Sequence, residues 1–176
     1  MKTIALFCGA RSGTPEHAKT AKEFINWMKN SNYNLVYGGG STGIMGAVSN
    51  ALIKNGNKVI GVIPHFLYDW EVGNDDCTEL IKVISMHERK KIMFDRADAF
   101  VVLPGGFGTL DEICEMITWK QLKTHSKPIA FLNSSGYFDK FFEFIEYGVE
   151  AEYISGGDLT RIQKLTDMDQ FSWDLV

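Results

Sequence analysis

The sequence predicts an α/β protein: a doubly wound, mostly parallel sheet with helices on both faces, in one domain spanning residues 1–176. Three observations predict it. Apolar runs rich in Val, Ile and Leu recur along the chain, helical periodicity fills the intervals, and glycine clusters follow the runs. Continuous apolar strands are buried on both faces, as a parallel sheet covered by helices requires. Alternating βαβα order then gives a Rossmann-like architecture, whose ligands bind beyond the carboxyl ends of the strands.

Taken in order, the first run is Ile4–Phe7. The opening Met1–Cys8 has the look of a short leader or lipoprotein anchor, but its apolar stretch is too short and Arg11 follows at once, so a buried strand is expected. Ala18, Ala21, Phe24, Ile25 and Met28 then fall at helical spacing. Leu35–Tyr37 and Val59–Ile63 read as the second and third strands, separated by the glycine cluster Gly38–Gly46. His65–Thr78, acidic and aromatic with Tyr68, Asp69, Trp70 and Glu71, reads as a loop over the strand ends. A capping box from Ser85 to Glu88 starts another helix. Phe100–Leu103 is the fourth strand, and Leu110, Ile113 and Ile117 place a helix after it that opens at Thr109. Ile129–Leu132 is the fifth, and a short final strand is expected near Ile162–Leu165.

The formal charge of −4 is spread along the chain, which lacks the basic footprint of a nucleic-acid binder. No apolar run approaches the ~18 residues of a membrane span. Cys8, Cys77 and Cys114 are odd in number and lack the paired spacing of a zinc site, so a reduced cytoplasmic setting is expected, with no metal and no cofactor.

Gly38-Gly39-Gly40-Ser41-Thr42-Gly43 has the G-x-G-x-x-G spacing of a dinucleotide site, yet no Asp or Glu occurs between Gly43 and Asp69 to hold the ribose hydroxyls. The alternative is a tight turn that lets helix and sheet approach closely. Pro104-Gly105-Gly106-Phe107-Gly108-Thr109-Leu110-Asp111-Glu112 is more informative. It places bare backbone N–H groups and a helix N-terminus around one spot, which suits a phosphate. Thr109 and Glu112 also have capping-box spacing, but a cap alone does not need Gly105, Gly106 and Gly108. In Met86-His87-Glu88-Arg89-Lys90, positive charge sits near a helix start where the dipole disfavours it. Arg89 and Lys90 are therefore either a solvated basic face or ligands for an anion. His87 reads as structural, and Lys91 and Arg96 as surface charges.

These two segments, in this order, closely resemble the paired signature of the LONELY GUY family, the cytokinin riboside 5'-monophosphate phosphoribohydrolases, whose members were long labelled possible lysine decarboxylases. The similarity runs from the first strand to about Glu150 and includes Tyr37-Gly38-Gly39-Gly40, Gly43-Ile44-Met45-Gly46, Gly61-Val62-Ile63-Pro64, Thr118-Trp119 and Lys127-Pro128. It implies hydrolysis of the N-glycosidic bond of a purine riboside 5'-monophosphate or AMP, releasing base and ribose 5-phosphate. Arg89 and Glu112 would be the catalytic pair. Substrate contacts would fall on Glu71, Arg89, Lys90, Gly105, Gly106, Phe107, Gly108, Thr109, Leu110, Asp111, Glu112 and Thr118. The resemblance further implies a homodimer with active sites near the interface, and partners limited to a nucleotide substrate. Two departures stand out: Arg11 replaces a common serine, and Asp111 a common glutamate. A non-catalytic nucleotide or cofactor carrier is the alternative; a pyridoxal-phosphate decarboxylase has no recognisable lysine context.

Overall fold

The computed structural model describes residues 1–174. One seven-stranded, wholly parallel sheet runs in the order β4-β3-β2-β1-β5-β6-β7. Its strands are β1 Thr3–Phe7, β2 Asn34–Tyr37, β3 Val59–Pro64, β4 Glu79–Val83, β5 Ala99–Val102, β6 Ile129–Leu132 and β7 Ile162–Leu165. The helices are α1 Pro15–Ser31, α2 Gly43–Lys54, α3 His65–Tyr68, α4 Met86–Arg96, α5 Phe107–Gln121, α6 Asp139–Glu150 and α7 Gly156–Leu159. No helix among the described residues is long and apolar enough to cross a membrane.

Alternation along β1 shows how the layers form. Ile4 and Leu6 join α1 and α2 residues such as Phe24, Met28 and Leu52 in one core, while Ala5 and Phe7 join Met93 of α4 and Ile113 and Met116 of α5 in the other. β1, β3, β5 and β6 are buried along their whole length. Both faces of the sheet are thus covered, as the continuous apolar runs require.

β1 pairs with β2 on one side and β5 on the other. The chain therefore winds outward through β2, β3 and β4, crosses back through α4, and restarts at β5. The carboxyl ends of β1 and β5 mark the point where winding direction reverses, and there the loops diverge to leave a crevice. Gly9 N–H donates to the Pro104 carbonyl at 3.0 Å across its floor.

Three expectations need correction. The segment before α4 contains a seventh strand, β4, which the sequence reading passed over. Four of its residues are half-buried or exposed, because it forms an edge of the sheet and has no continuous apolar run to show. His65–Thr78 is a loop only in part: it opens with α3, and Gly73 then pairs with Gly40 in an isolated antiparallel bridge. Finally, α5 starts two residues earlier than expected, with Gly106 as its N-cap. Thr109 is therefore a buried residue of the first turn and closes no capping box.

Candidate active site

A cavity of about 670 Å³ opens at the reversal point, within the size range of small-molecule sites. It is walled by the β1 loop through Gly13, by His17 of α1, by Gly38 and the start of α2, by Leu67, Glu71, Met86 and Arg89, and by Pro104–Thr109, Glu112 and Tyr137.

Arg89 enters from the first turns of α4, which Ser85 caps by accepting from the Glu88 N–H at 3.1 Å. The Glu88 carboxylate accepts in turn from the Ile84 N–H at 3.0 Å, so the expected cap is present with its return bond shifted by one residue. Arg89 is only 4% exposed, which rules out a solvated basic face. Its Nε donates to the Val62 carbonyl at 3.1 Å, and its Nη2 donates to the Gly38 carbonyl at 2.7 Å and to Glu71 Oε2 at 3.2 Å. Nη1 meets only the Met86 sulfur, at 3.8 Å. Three donors are committed to oxygen acceptors and a fourth to the weakly accepting sulfur, so one N–H on Nη1 has no partner in the protein.

Glu71 is held by a strained turn. Val72 adopts a left-handed backbone with φ of 49°, which costs a β-branched residue roughly 1–3 kcal/mol. The Val72 carbonyl accepts from both the Ser41 N–H at 2.9 Å and the Ser41 hydroxyl at 2.6 Å. These bonds and the Gly40–Gly73 bridge fix the segment so that Glu71 faces Arg89.

Glu112 lies on α5, six positions after the N-cap, and is 7% exposed. Burial is the main cause that pushes its carboxyl from the ordinary 4.5 to about 7; Arg89 pulls the other way, and the charges of Glu71 and Asp111 push it further up. This is an acid poised near neutrality in a cleft. Cys8 on the same wall is raised by burial and by the Glu112 carboxylate, so it stays a thiol and is no nucleophile.

The glycine run forms a cradle. An added Cβ at Gly105 would overlap the Thr109 hydroxyl, so that position is filled by the protein itself. At Gly106 and Gly108 an added Cβ would meet nothing within 4 Å. Neither internal packing nor a positive φ requires glycine there, whereas close approach of a ligand to bare backbone does. The first N–H groups of α5, from Phe107 onward, lack intrahelical partners and face that approach. Tyr137 braces the cradle by donating its hydroxyl to the Gly105 carbonyl at 2.6 Å.

The structure brings together Glu71, Arg89, Gly105, Gly106, Phe107, Gly108, Thr109 and Glu112. It does not bring Lys90, Leu110, Asp111 or Thr118 to the cavity. Lys90 Nζ lies 3.1 Å from Asp111 and 3.0 Å from Glu115, a buried cation tied to two carboxylates on α5. Thr118 is exposed three turns along α5, donating to the Cys114 carbonyl at 2.8 Å. His17 and Tyr137 line the cavity unannounced by the sequence, their rings edge to face at 5.0 Å. A histidine three residues beyond Thr14, just after a glycine loop, was the available signal.

The profile of the family described as "Possible lysine decarboxylase" matches residues 45–174. Cytokinin riboside 5'-monophosphate phosphoribohydrolase LOG7 of Arabidopsis thaliana is 44% identical over 155 residues, 88% of this chain and 71% of that protein. The chain belongs to the LONELY GUY family. LOG1 of the same plant is also 44% identical, over 88% of this chain and 73% of its own. Among solved structures, the fold is similar to a molybdenum cofactor binding protein from Rippkaea orientalis (TM-score 0.68, 17% identity, covering 96% of this chain and 91% of that one). It is similar as well to the molybdenum cofactor carrier protein of Chlamydomonas reinhardtii (TM-score 0.67, 19% identity, 96% and 91%). At such identities the likeness extends to the fold alone. In the LONELY GUY chain described here, the two signature segments meet at one cavity through Arg89 and Glu112.

Proposed function

We propose that this protein hydrolyses the N-glycosidic bond of purine riboside 5'-monophosphates, of the cytokinin type or AMP, giving free base and ribose 5-phosphate. The observation that carries the reading is the Glu112 carboxyl, buried and raised to about 7, in the same cavity as the open glycines of the α5 cradle. Breaking the C1'–N9 bond builds positive charge on the ribose ring. A carboxylate beside the sugar stabilises that charge in the transition state more than in the ground state. Glu112 also has the acidity needed to orient or deprotonate the attacking water near neutral pH. Arg89 holds Glu71 on the cavity wall and keeps one Nη1 hydrogen without a partner in the protein, and the α5 cradle anchors the 5'-phosphate so that C1' is presented to Glu112. The apolar walls supplied by Ile44, Met45, Leu67 and Met86 suit the flat faces of a purine. The names of the family relatives support the same substrate class.

The test is direct. Incubating the protein with AMP and with isopentenyladenosine monophosphate, then separating the products by chromatography, should yield free base. Tight nucleotide binding without release of base would instead support a carrier.

We also infer a homodimer in the cytoplasm. Lys90, Asp111 and Thr118, which the family resemblance implies touch substrate, lie outside the monomer's cavity, and Phe107 beside the cradle is 93% exposed. A second subunit against α5 would cover that ring. Light scattering on the purified protein reads the mass.

A further inference from the structure

The cavity has a charge deficit for the ligand class proposed above. A phosphate monoester carries nearly two negative charges at neutral pH. Arg89 and Lys90 are the cations the sequence offers for it, and carboxylates of the protein balance the charge of both. Arg89 is matched by Glu71 at 3.2 Å, and Lys90 by Asp111 and Glu115 outside the cavity. The α5 cradle contributes only neutral N–H groups, and the second carboxyl on the wall, Glu112, has the wrong sign when ionised.

One lining cation is left over. Arg11 is exposed, and no carboxylate lies within 4.0 Å of it among the described residues. Its main chain is nevertheless fixed, because the Ala10–Arg11 peptide packs against Gly43 so closely that no Cβ would fit between them. A guanidinium on a fixed stem costs less to order on a ligand than one on a mobile loop. On the same cavity wall, His17 Nδ1 accepts from the Thr14 N–H at 3.2 Å, which puts a ring hydrogen on Nε2. His17 abuts Tyr137, and Tyr137 is bonded to Gly105, so this group stands at the cradle end of the cavity.

We propose that Arg11, with the His17 Nε2–H as a second donor, supplies the counter-charge for the substrate's 5'-phosphate opposite the α5 N-terminus. Arg11 is thus a specificity residue for the phosphorylated substrate, in a position where many family members carry serine. The inference rests on the hydrolase reading for the identity of the ligand, but its test does not need turnover.

Ribose 5-phosphate, AMP and adenosine are titrated calorimetrically into wild type, Arg11→Ala, Arg11→Lys and His17→Phe, with circular dichroism to verify folding. Arg11→Ala should weaken ribose 5-phosphate and AMP by the same factor, roughly 10- to 100-fold for one lost charged hydrogen-bonding partner, and leave adenosine unchanged. Arg11→Lys should recover part of the loss, His17→Phe should lose several-fold, and the salt dependence of AMP binding should shrink in Arg11→Ala. Equal affinities in wild type and Arg11→Ala, or equal losses for AMP and adenosine, overturn the proposal. So does a wild type that binds no ribose 5-phosphate. A wild type that binds ribose 5-phosphate through Arg11 but releases no base from any nucleotide upholds this inference while removing the hydrolase.

Discussion

Two glycine-rich loops flank the cavity, and they use glycine for opposite reasons. In Gly38–Gly46 the protein fills the space itself: a Cβ on Gly38 would overlap Arg89 Nη2, and one on Gly46 would overlap the Ser41 carbonyl. In Gly105–Gly108, two of the three glycines face open space. The first loop is a joint between elements and the second leaves its backbone open to the cavity, though on paper the first carries the better-known phosphate fingerprint. Spacing of glycines therefore locates close approaches without saying what approaches. On the proposed reading, the acid that shares the second loop's helix supplies the chemistry, since bare amides alone would only bind.

The contrast breaks first at Glu112. Glu112→Gln should cut kcat about a thousandfold or more while the protein still binds nucleotide, because the amide keeps the shape and loses the charge that stabilises an oxocarbenium-like ribose. Chromatographic detection of base measures it, and near-normal turnover would reduce Glu112 to a helix residue.

Gly38→Ala tests the first loop. Displacing the buried Arg89 guanidinium from its carbonyl partners should cost about 3 kcal/mol, a fall in Tm of roughly 6–12 °C for a chain of this size. A melting curve decides it, and an unshifted Tm would make the loop as open as the second.

Protonation gives a third measure, of comparable size. Glu112 is raised in the fold, so its contribution to stability is complete below its unfolded value of 4.5 and is lost as pH rises through about 7. Relative to Glu112→Gln, wild type should lose about 3 kcal/mol between pH 4 and pH 8, read by denaturant titration. The rate should move the other way, with kcat/KM rising through a limb near pH 7 as the carboxylate forms. A bound phosphate dianion disfavours that ionisation, so the kcat limb should lie at higher pH than the kcat/KM limb.

The smallest effect sharpens the comparison most. Gly106→Ala should leave Tm within a degree or so, since its Cβ meets no protein atom, yet raise KM for monophosphates about tenfold by crowding the cradle. A drop in Tm with unchanged KM would reverse the assignment of the two loops.

Much of this was legible in the chain. Five of the seven strands announced themselves as apolar runs because they are buried on both faces, and the weaker β7 was expected where it lies. β4, an edge strand with its polar side to solvent, did not. The true start of α5 was hidden because Gly106 caps the helix without a side chain to signal it. Within the site, the segments carrying Arg89 and Glu112 were identifiable, but the commitments of their side chains were not. Arg89 bonds carbonyls 27 and 51 residues away, and Lys90 pairs with carboxylates on a different helix. Which cation is balanced inside the fold and which has no carboxylate beside it is decided by three-dimensional neighbours, so the sequence marks Arg11 as a departure without giving it a role.

The bonds from Arg89 to Gly38 and Val62 brace α4 against the tips of β2 and β3. A descendant that abandoned hydrolysis for mere carriage would still need that brace and would keep the arginine. Glu112 props up nothing; held against its own desolvation cost, it is free to drift once chemistry is no longer selected. In a variant of this chain that keeps the fold and loses hydrolysis, the expected pattern is therefore an arginine retained and an acid lost.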